Sequence, residues 1–528
     1  MTAHTHCSGE DDVDTRANTV DGVLRRSARR TPDRTALVFG DRSWTYRELD
    51  EATSRTAGWL RGLGVAQGDR VATYGRNSDA YVLSFLGAAR MGAVHVPINY
   101  ALTGEELAYL VDQSGSKVLA VDPALAGHVE ALDHRPDQVV PLRDAPGSLL
   151  EAARTGEVPE LDVTVEDGDL VQLLYTSGTT SKPKGAMMTH RGLVHHYVSC
   201  LHALGFEQDD DPLVAMPIYH SAGMHVFTLP YLAVGATVRM MEAPDVPEIL
   251  RRVEADRIGS LFLAPTVWVP AVNHPDFATR DLSSLRKAHY GASIMPGPIL
   301  ARLRERLPEL GVYNCFGQSE IGPLATVLQP EEHDERPESC GRPVLFVELR
   351  VIDENGDDVA PGEAGEVVYR SPQLCEGYWD KPEETAAAFR EGWFHSGDLV
   401  RIDEEGFITV VDRIKDVINT GGILVASREV EDALYTHEAV AEVAVIGTPD
   451  EKWIEAVTAF VVLRPEHADG FESAALVEHA KGRLARFKVP KSVHVIEELP
   501  RNQSGKLLKR VLRDTVQPTR RIPRDPDE

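Results

Sequence analysis

Between Tyr175 and Gly185 the chain reads YTSGTTSKPKG, a run of small hydroxyl residues, glycine and proline breakers and two lysines with almost no apolar side chain. Apolar segments flank it. Leu170 to Leu174 has the length and composition of a short strand, and Leu193, Tyr197, Cys200, Leu201 and Leu204 fall at helical spacing beyond it. A flexible Ser/Gly linker would rarely carry Lys-Pro-Lys between two such segments. The order strand, glycine-rich loop, helix predicts an α/β chain with an anion cradle. Glycine lets the backbone approach an anion closely, the hydroxyls of Thr176, Ser177, Thr179 and Thr180 can donate to its oxygens, and Lys182 or Lys184 supplies charge.

Two commoner nucleotide loops are excluded. The P-loop needs Gly, four residues, then Gly-Lys-Ser/Thr, whereas Gly178 to Gly185 runs on into Ala186. The dinucleotide fingerprint fails as well, because Gly62 and Gly64 are followed by Gln67 where the third glycine belongs.

The 528 residues exceed what one hydrophobic core usually serves, so two or more structural units are expected. A formal net charge of -27 argues against nucleic acid as a partner, since phosphate neutralisation needs clustered Lys and Arg. It also repels any anionic substrate, which a local concentration of positive charge and amide donors must overcome. Cys7, Cys200, Cys315, Cys340 and Cys375 are scattered without a CxxC pair, which suits a reduced cytoplasm, and the 19 histidines show no ligand spacing, so no zinc site is assigned. The polar, acidic start lacks the apolar core of a signal peptide, and no uninterrupted apolar stretch approaches the ~20 residues of a membrane span. Arg90 interrupts one of the nearest candidates, and Pro265 and Pro270 the other.

Short β-branched segments at Arg70 to Thr73, Lys117 to Val121, Val238 to Met241 and Ser260 to Leu263 alternate with helical-period segments such as Asp79 to Met91 and Asp245 to Asp256. That alternation predicts largely parallel sheets. After Gly365 the pattern changes to alternation with glycine-bearing turns, which predicts antiparallel strands. The charged stretch Asp412 to Asp416 reads as a solvated boundary, followed by a small α/β segment whose first helix has Ser427 as its N-cap, with Glu429 and Glu431 complementing the helix dipole. The organisation expected is a disordered segment 1–20, a large domain 21–412, a hinge 413–416, a small C-terminal domain 417–513 and a flexible tail 514–528.

Five motifs then stand in order: TYREL from Thr45, YNCFGQSE at Tyr313 to Glu320, GWFHSGDL at Gly392 to Leu399, DRIKDVINTGG at Asp412 to Gly422, and NQSGKLLKR ending at Arg510. With the Tyr175 to Gly185 run, they resemble the motifs of the adenylate-forming superfamily, which includes acyl- and aryl-CoA synthetases, luciferases and the adenylation domains of peptide assembly lines. The resemblance covers nearly the whole chain. It implies a large N-terminal domain of parallel-type αβ subdomains plus a distorted β-barrel, with a small mobile C-terminal α+β domain and the active site in the cleft between the two. It implies ATP and Mg2+ as cofactors, CoA as acceptor, a small-molecule acid as substrate, and a reaction that needs positioning and electrostatics, with no covalent protein nucleophile.

Carried onto this sequence, the resemblance makes Lys506 the lysine that bridges carboxylate and α-phosphate, and Thr176, Ser177, Gly178, Thr179, Thr180 and Lys184 the phosphate loop. Glu320, with Thr176, would hold magnesium; Phe316 would stack on adenine, followed by Gly317, Gln318 and the α-phosphate donor Ser319. Gly291, Ala292 and Ser293 match the wall between adenine and acyl pockets, His220 the gate of the acyl site, Asp398 the acid that accepts both ribose hydroxyls, Arg413 a ribose or phosphate contact, and Lys415 the hinge. Met224, Phe227, Tyr290 and Ile294 would shape the acyl pocket, and His195, His196 and His202 read as ordinary helix residues.

One stretch departs from the pattern. Where acyl-CoA synthetases commonly read Glu-Asn-Val/Ile-Tyr-Pro after the second glycine, this chain has Ile423-Leu-Val-Ala-Ser427, which alters the loop that meets the incoming thiol. An acid:CoA ligase therefore competes with an adenylating enzyme whose acceptor is a carrier-protein thiol or an amine, including one that activates nitrite to diazotise an aryl amine in secondary metabolism. A non-catalytic nucleotide-binding protein would not need every polar residue named above. Replacement of Lys506 by Ala should abolish adenylation and leave folding intact; adenylate formation retained in a pyrophosphate-release assay would refute that assignment.

Overall fold

The computed structural model describes residues 18–133, 135–136, 138–176, 182–293, 295–421, 423–450, 453–467, 470–501 and 507–516. Ser177, Gly178, Thr179 and Thr180 of the expected phosphate loop, Ile294, Gly422 and Lys506 lie outside the described residues. The chain is α/β and divides into two compact units. The first is built from residues before 178, Pro183–Glu348 and Tyr369–Phe394, and the second from Leu349–Val368 and the chain from His395 onward.

The first unit is organised by two large sheets. A six-stranded sheet runs in the order Gln138–Pro141, Ser116–Val121, Arg70–Tyr74, Val94–Ile98, Leu170–Thr176, Lys184–Thr189, parallel throughout except for the last strand. A nine-stranded sheet carries Pro212–Val214, Ser260–Phe262, Lys287–Gly291 and Gly311–Phe316 as parallel neighbours and closes on antiparallel edges. The strand–loop–helix order expected around Tyr175 is corrected. Residues after the loop first form the antiparallel strand Lys184–Thr189, and only then does the helix His190–Leu204 begin, capped by Thr189 accepting from Gly192 N. The strands on either side, Leu170–Thr176 and Lys184–Thr189, pair antiparallel, so the residues between them do not run directly into a helix N-terminus.

Local rules account for how these elements start. The TYREL motif is a capping box, in which Thr45 Oγ1 accepts from Glu48 N while the Glu48 carboxylate accepts from Thr45 N, launching the helix Tyr46–Gly62. Asp79–Arg90 is buried on every side, which explains an apolar segment without a membrane. Its terminal Arg90 is compensated in the interior by Asp21 at 2.7 Å and by Asp50. No helix among the described residues is long and apolar enough to cross a membrane.

A chain of buried polar side chains ties the six-stranded sheet to the helices His190–Leu204 and Asp79–Arg90 and to the turn Ala222–Val226. Tyr197 Oη lies 2.9 Å from His225 Nδ1, His225 Nε2 lies 2.6 Å from Gln172 Oε1, Gln172 Nε2 lies 3.0 Å from His95 Nδ1, and His95 Nε2 lies 3.0 Å from Thr73 Oγ1, which meets Ser84 Oγ at 2.7 Å. With both imidazoles neutral, every bond can be made by protons pointing the same way, from Tyr197 to Ser84. Burial enforces that neutrality, holding His95 and His225 down at about 3. It also lowers His289 to about 3 and His190 to about 4. The unfolded chain binds protons at these histidines below the ordinary value of 6.5 while the fold does not, so their contribution is complete above that pH and is lost as pH falls toward the folded values. Urea unfolding should show stability declining below about pH 6.5 by up to about 1.4 kcal/mol per pH unit per histidine. A flat profile between about pH 7 and 5 would contradict this.

A five-stranded sheet lies in the region expected of the barrel, in the order Glu348–Ile352, Ala364–Arg370, Trp393–Ile402, Phe389–Arg390, with Ile408–Arg413 also antiparallel to Trp393–Ile402. A second five-stranded sheet pairs Val440–Asp450 with Ile454–Leu463 over a long antiparallel register and is packed by the helices Ser427–Tyr435 and Ser473–Lys481.

Candidate active site

The strand Gly311–Phe316 ends in a turn that only glycine can make. Gly317 has φ 153°, and a Cβ there would stand 2.0 Å from Pro323 O. Ala325 N donates to Phe316 O across that turn, and the chain enters the 3-10 turn Ser319–Ile321, which buries Glu320. A buried carboxylate requires donors. Glu320 Oε1 accepts from Thr176 Oγ1 at 3.2 Å and from Tyr378 Oη at 3.0 Å. Burial and the neighbouring Glu320 charge push the Tyr378 phenol far above its ordinary value, so it stays a donor. Lys184 Nζ stands 4.9 Å from the Tyr378 ring centroid.

Tyr378 is a site residue that the sequence motifs did not single out. It reaches Glu320 because residues around Cys375–Trp379 run beside the strand Lys184–Thr189, with Met187 N donating to Gly377 O and Trp379 N to Gly185 O. The available signal was the Gly377-Tyr-Trp379 cluster, and nothing in its spacing pointed to Glu320, 58 positions earlier.

His220 is exposed and its Nδ1 accepts from Ala222 N, at the entrance to the π-helical turn Ala222–Val226. Gly223 in that turn is obligatory, since a Cβ would meet Pro217 O at 2.3 Å. The adjacent Ser221 Oγ lies 3.0 Å from Ser319 Oγ, which brings the His220 turn beside the Glu320 turn. His225, which carried no expectation, fixes the far side of the same turn through the buried chain to Gln172 on the strand that bears Thr176. Gly291 ends its strand opposite Cys315, with no room for a side chain against Cys315 O, and Ala292 follows at φ 68°. A non-glycine residue in that conformation stores strain, and it places Ala292 and Ser293 exposed beside the half-buried Phe316. Met224, Phe227 and Tyr290 are deeply buried; Phe227 stacks on Phe262 with centroids 4.2 Å apart. The first unit therefore gathers Thr176, Lys184, Ser319, Glu320 and the His220 turn.

The second unit holds Asp398, Arg413 and Lys415. Gly397, at φ 71°, lets the chain turn so that Gly397 N and His395 Nδ1 both engage the Glu366 carboxylate. Glu366 is another group the motifs did not reveal. Asp398 follows, buried, paired across the sheet with Arg413, whose Nε lies 2.5 Å from Asp398 Oδ1. Two boundary expectations are corrected. Asp412 is buried and accepts from Arg413 N, Ser427 N and Ser427 Oγ, while Asp416 pairs with Arg513 at 2.7 Å, so these acids are structural acceptors and no solvated face. Ser427 is the first helical residue, with Ala426 as N-cap, and its side chain turns to Asp412 because a buried carboxylate outcompetes helix-end amides. Glu431 is drawn to Lys509 at 2.8 Å, away from the helix end. Lys415 is half-buried in the 3-10 turn Ile414–Asp416, and its carbonyl accepts from Arg513. In the departing stretch, Ile423 and Leu424 are exposed, while Val425 is buried.

A glycine-walled turn, a buried carboxylate with two hydroxyl donors and, in the second unit, an acid–arginine pair suit the class of AMP-binding enzymes, and the chain belongs to that family. Residues 24–379 match the AMP-binding enzyme family and residues 429–506 the AMP-binding enzyme C-terminal domain. The chain is an AMP-forming ligase. It is 39% identical over 484 residues to a feruloyl-CoA synthase of Amycolatopsis sp, covering 92% of this chain and 96% of that protein. It is 33% identical to the indoleacetate–CoA ligase of Aromatoleum aromaticum, covering 93% and 97%. Among solved structures it is similar to ATP-bound MatB from Rhodopseudomonas palustris, with a TM-score of 0.86, 29% identity and coverage of 94% and 99%.

Tyr378→Phe removes one donor from the Glu320 carboxylate and keeps the ring under Lys184. It should slow adenylation about tenfold or more, the scale of one hydrogen bond to a charged group, with unfolding midpoint little changed. Pyrophosphate release with the variant checks this.

Proposed function

We propose that this enzyme joins a carboxylic acid to CoA in two half-reactions. The carboxylate oxygen attacks the α-phosphorus of ATP, a P–O bond forms and pyrophosphate leaves; the CoA thiolate then attacks the acyl carbon of the adenylate, a thioester forms and AMP leaves. The observation that carries the reading is the buried Glu320 carboxylate with its two hydroxyl donors, next to the obligatory Gly317 turn. An all-oxygen set of this kind suits magnesium, and Glu320 and Thr176 would hold the ion, which when bound neutralises phosphate charge.

The chain's own residues supply positioning. Phe316 stacks on adenine, Ser319 donates to the α-phosphate, Lys184 with Ser177, Gly178, Thr179 and Thr180 holds the phosphate tail, Asp398 and Arg413 receive the ribose, and Lys506 brings carboxylate and α-phosphate together. Gly291, Ala292, Ser293, Gly317 and Gln318 form the walls of the nucleotide pocket, His220 gates the acid, and Lys415 is the pivot. The acid is an aromatic or arylalkanoic one, a reading supported by the feruloyl and indoleacetate relatives. The reaction belongs in the cytoplasm, where ATP and CoA are both available. A second acceptor, a carrier-protein thiol or an amine, is favoured by one observation, the exposed Ile423 and Leu424 in place of the usual polar loop.

Purified enzyme given ATP, magnesium and a panel of aryl, fatty and inorganic acids should release pyrophosphate with aryl acids, and CoA should then yield AMP and the thioester. Pyrophosphate without CoA-stimulated AMP release would assign another acceptor. Silence with every acid would end the adenylation reading.

A further inference from the structure

The second unit contains a connected set of side chains that the reaction as written does not use. Lys509, on the helix Lys509–Val516, donates from Nζ to Ser427 Oγ at 2.6 Å and pairs with Glu431 Oε1 at 2.8 Å. Ser427 donates to Asp412 Oδ2 twice, from Oγ at 2.7 Å and from N at 2.6 Å. The other oxygen of Asp412 accepts from Arg413 N at 2.7 Å, and the Arg413 guanidinium reaches Asp398. Asp412 and Ser427 are buried, and the Lys509 side chain is 13% exposed.

We propose that Ser427 and Lys509 are positioning residues for the nucleotide-sugar pair Asp398–Arg413, acting through Asp412. This rests on the reading of that pair as the ribose site. The hydroxyl of Ser427 has one proton, which goes to Asp412, and its lone pair takes Lys509, so the relay has a single polarity and each bond strengthens the next. Lys509 pairs directly with Glu431 and reaches Asp412 through Ser427, between two interior carboxylates that repel one another. Once Asp412 is held from the Ser427 side, its remaining oxygen fixes the Arg413 backbone and thereby the direction of the guanidinium. The position is also where the superfamily commonly carries proline, which has neither the N–H nor the hydroxyl this relay uses. Proline is accepted in the first turn of a helix, so Ser427→Pro deletes both donors and keeps the helix.

The test compares Ser427→Ala, Ser427→Pro, Ser427→Thr, Lys509→Met and Lys509→Arg with the parent in full-length enzyme, by ATP–pyrophosphate exchange and by AMP titration calorimetry. Loss of the relay should raise the KM for ATP and the Kd for AMP about tenfold, the scale of one lost hydrogen bond to a charged group. The KM for the acid should stay unchanged, and Ser427→Thr and Lys509→Arg should restore parent values. A fall in melting temperature with ATP and AMP affinities within twofold of the parent would show that the relay only anchors helices, and would overturn the inference. If Ser427→Pro does not fold, Ser427→Ala, which removes a single oxygen, decides. A parent enzyme without exchange would defeat the adenylation reading instead, and the AMP titrations would still decide this one.

Discussion

A carboxylate removed from water must find donors or become neutral, and Glu320 finds them in Thr176 and Tyr378, 144 and 58 positions away. That requirement organises the first unit's site. The edge strand Lys184–Thr189 has to run beside Cys375–Trp379 for Tyr378 to arrive, and the strand Leu170–Thr176 has to end level with the Gly317 turn for Thr176 to arrive. Both donors are hydroxyls, which supply dipoles and leave the negative charge of Glu320 available to a cation. In a chain of net charge -27, such availability is what an anionic ligand would require of the site.

The second unit handles its acids differently. Asp398, Asp416 and Glu431 are each met by Arg or Lys, while Asp412 is met by the Ser427 hydroxyl and by the backbone amides of Arg413 and Ser427. Arg413 holds Asp398 in place, and the same arginine is itself held through Asp412, so the orientation of one ion pair is settled by groups on two helices. The excess of acidic residues is therefore only partly a surface property.

Much of the fold was legible. Alternating β-branched and helical-period segments foretold the parallel sheets, the TYREL run held a capping box, and the change of texture after Gly365 became antiparallel sheet. The motifs put Thr176, Ser319 and Glu320 on elements that meet. The reading failed where side chains choose among partners: Ser427 took a buried carboxylate over the helix end, Asp412 and Asp416 turned inward, and a strand intervened before the helix expected after the phosphate loop. Helix-cap preference and surface charge are local averages, and a desolvated ion outweighs them. Tyr378, Glu366, Gln172 and His225 escaped notice because an ordinary tyrosine, glutamate, glutamine or histidine carries no local mark of the residue it will meet.

By itself the sequence determined which short segments have the composition to turn tightly or to offer donors and charge to an anion, since those abilities belong to glycine, hydroxyl and ammonium groups within a few residues of one another. Only the tertiary structure decided which acid each donor serves. Thr176 and Glu320 lie 144 positions apart and Lys509 and Ser427 lie 82, and across such separations the partner is fixed by how strands and helices pack and by the need to compensate every charge they bury.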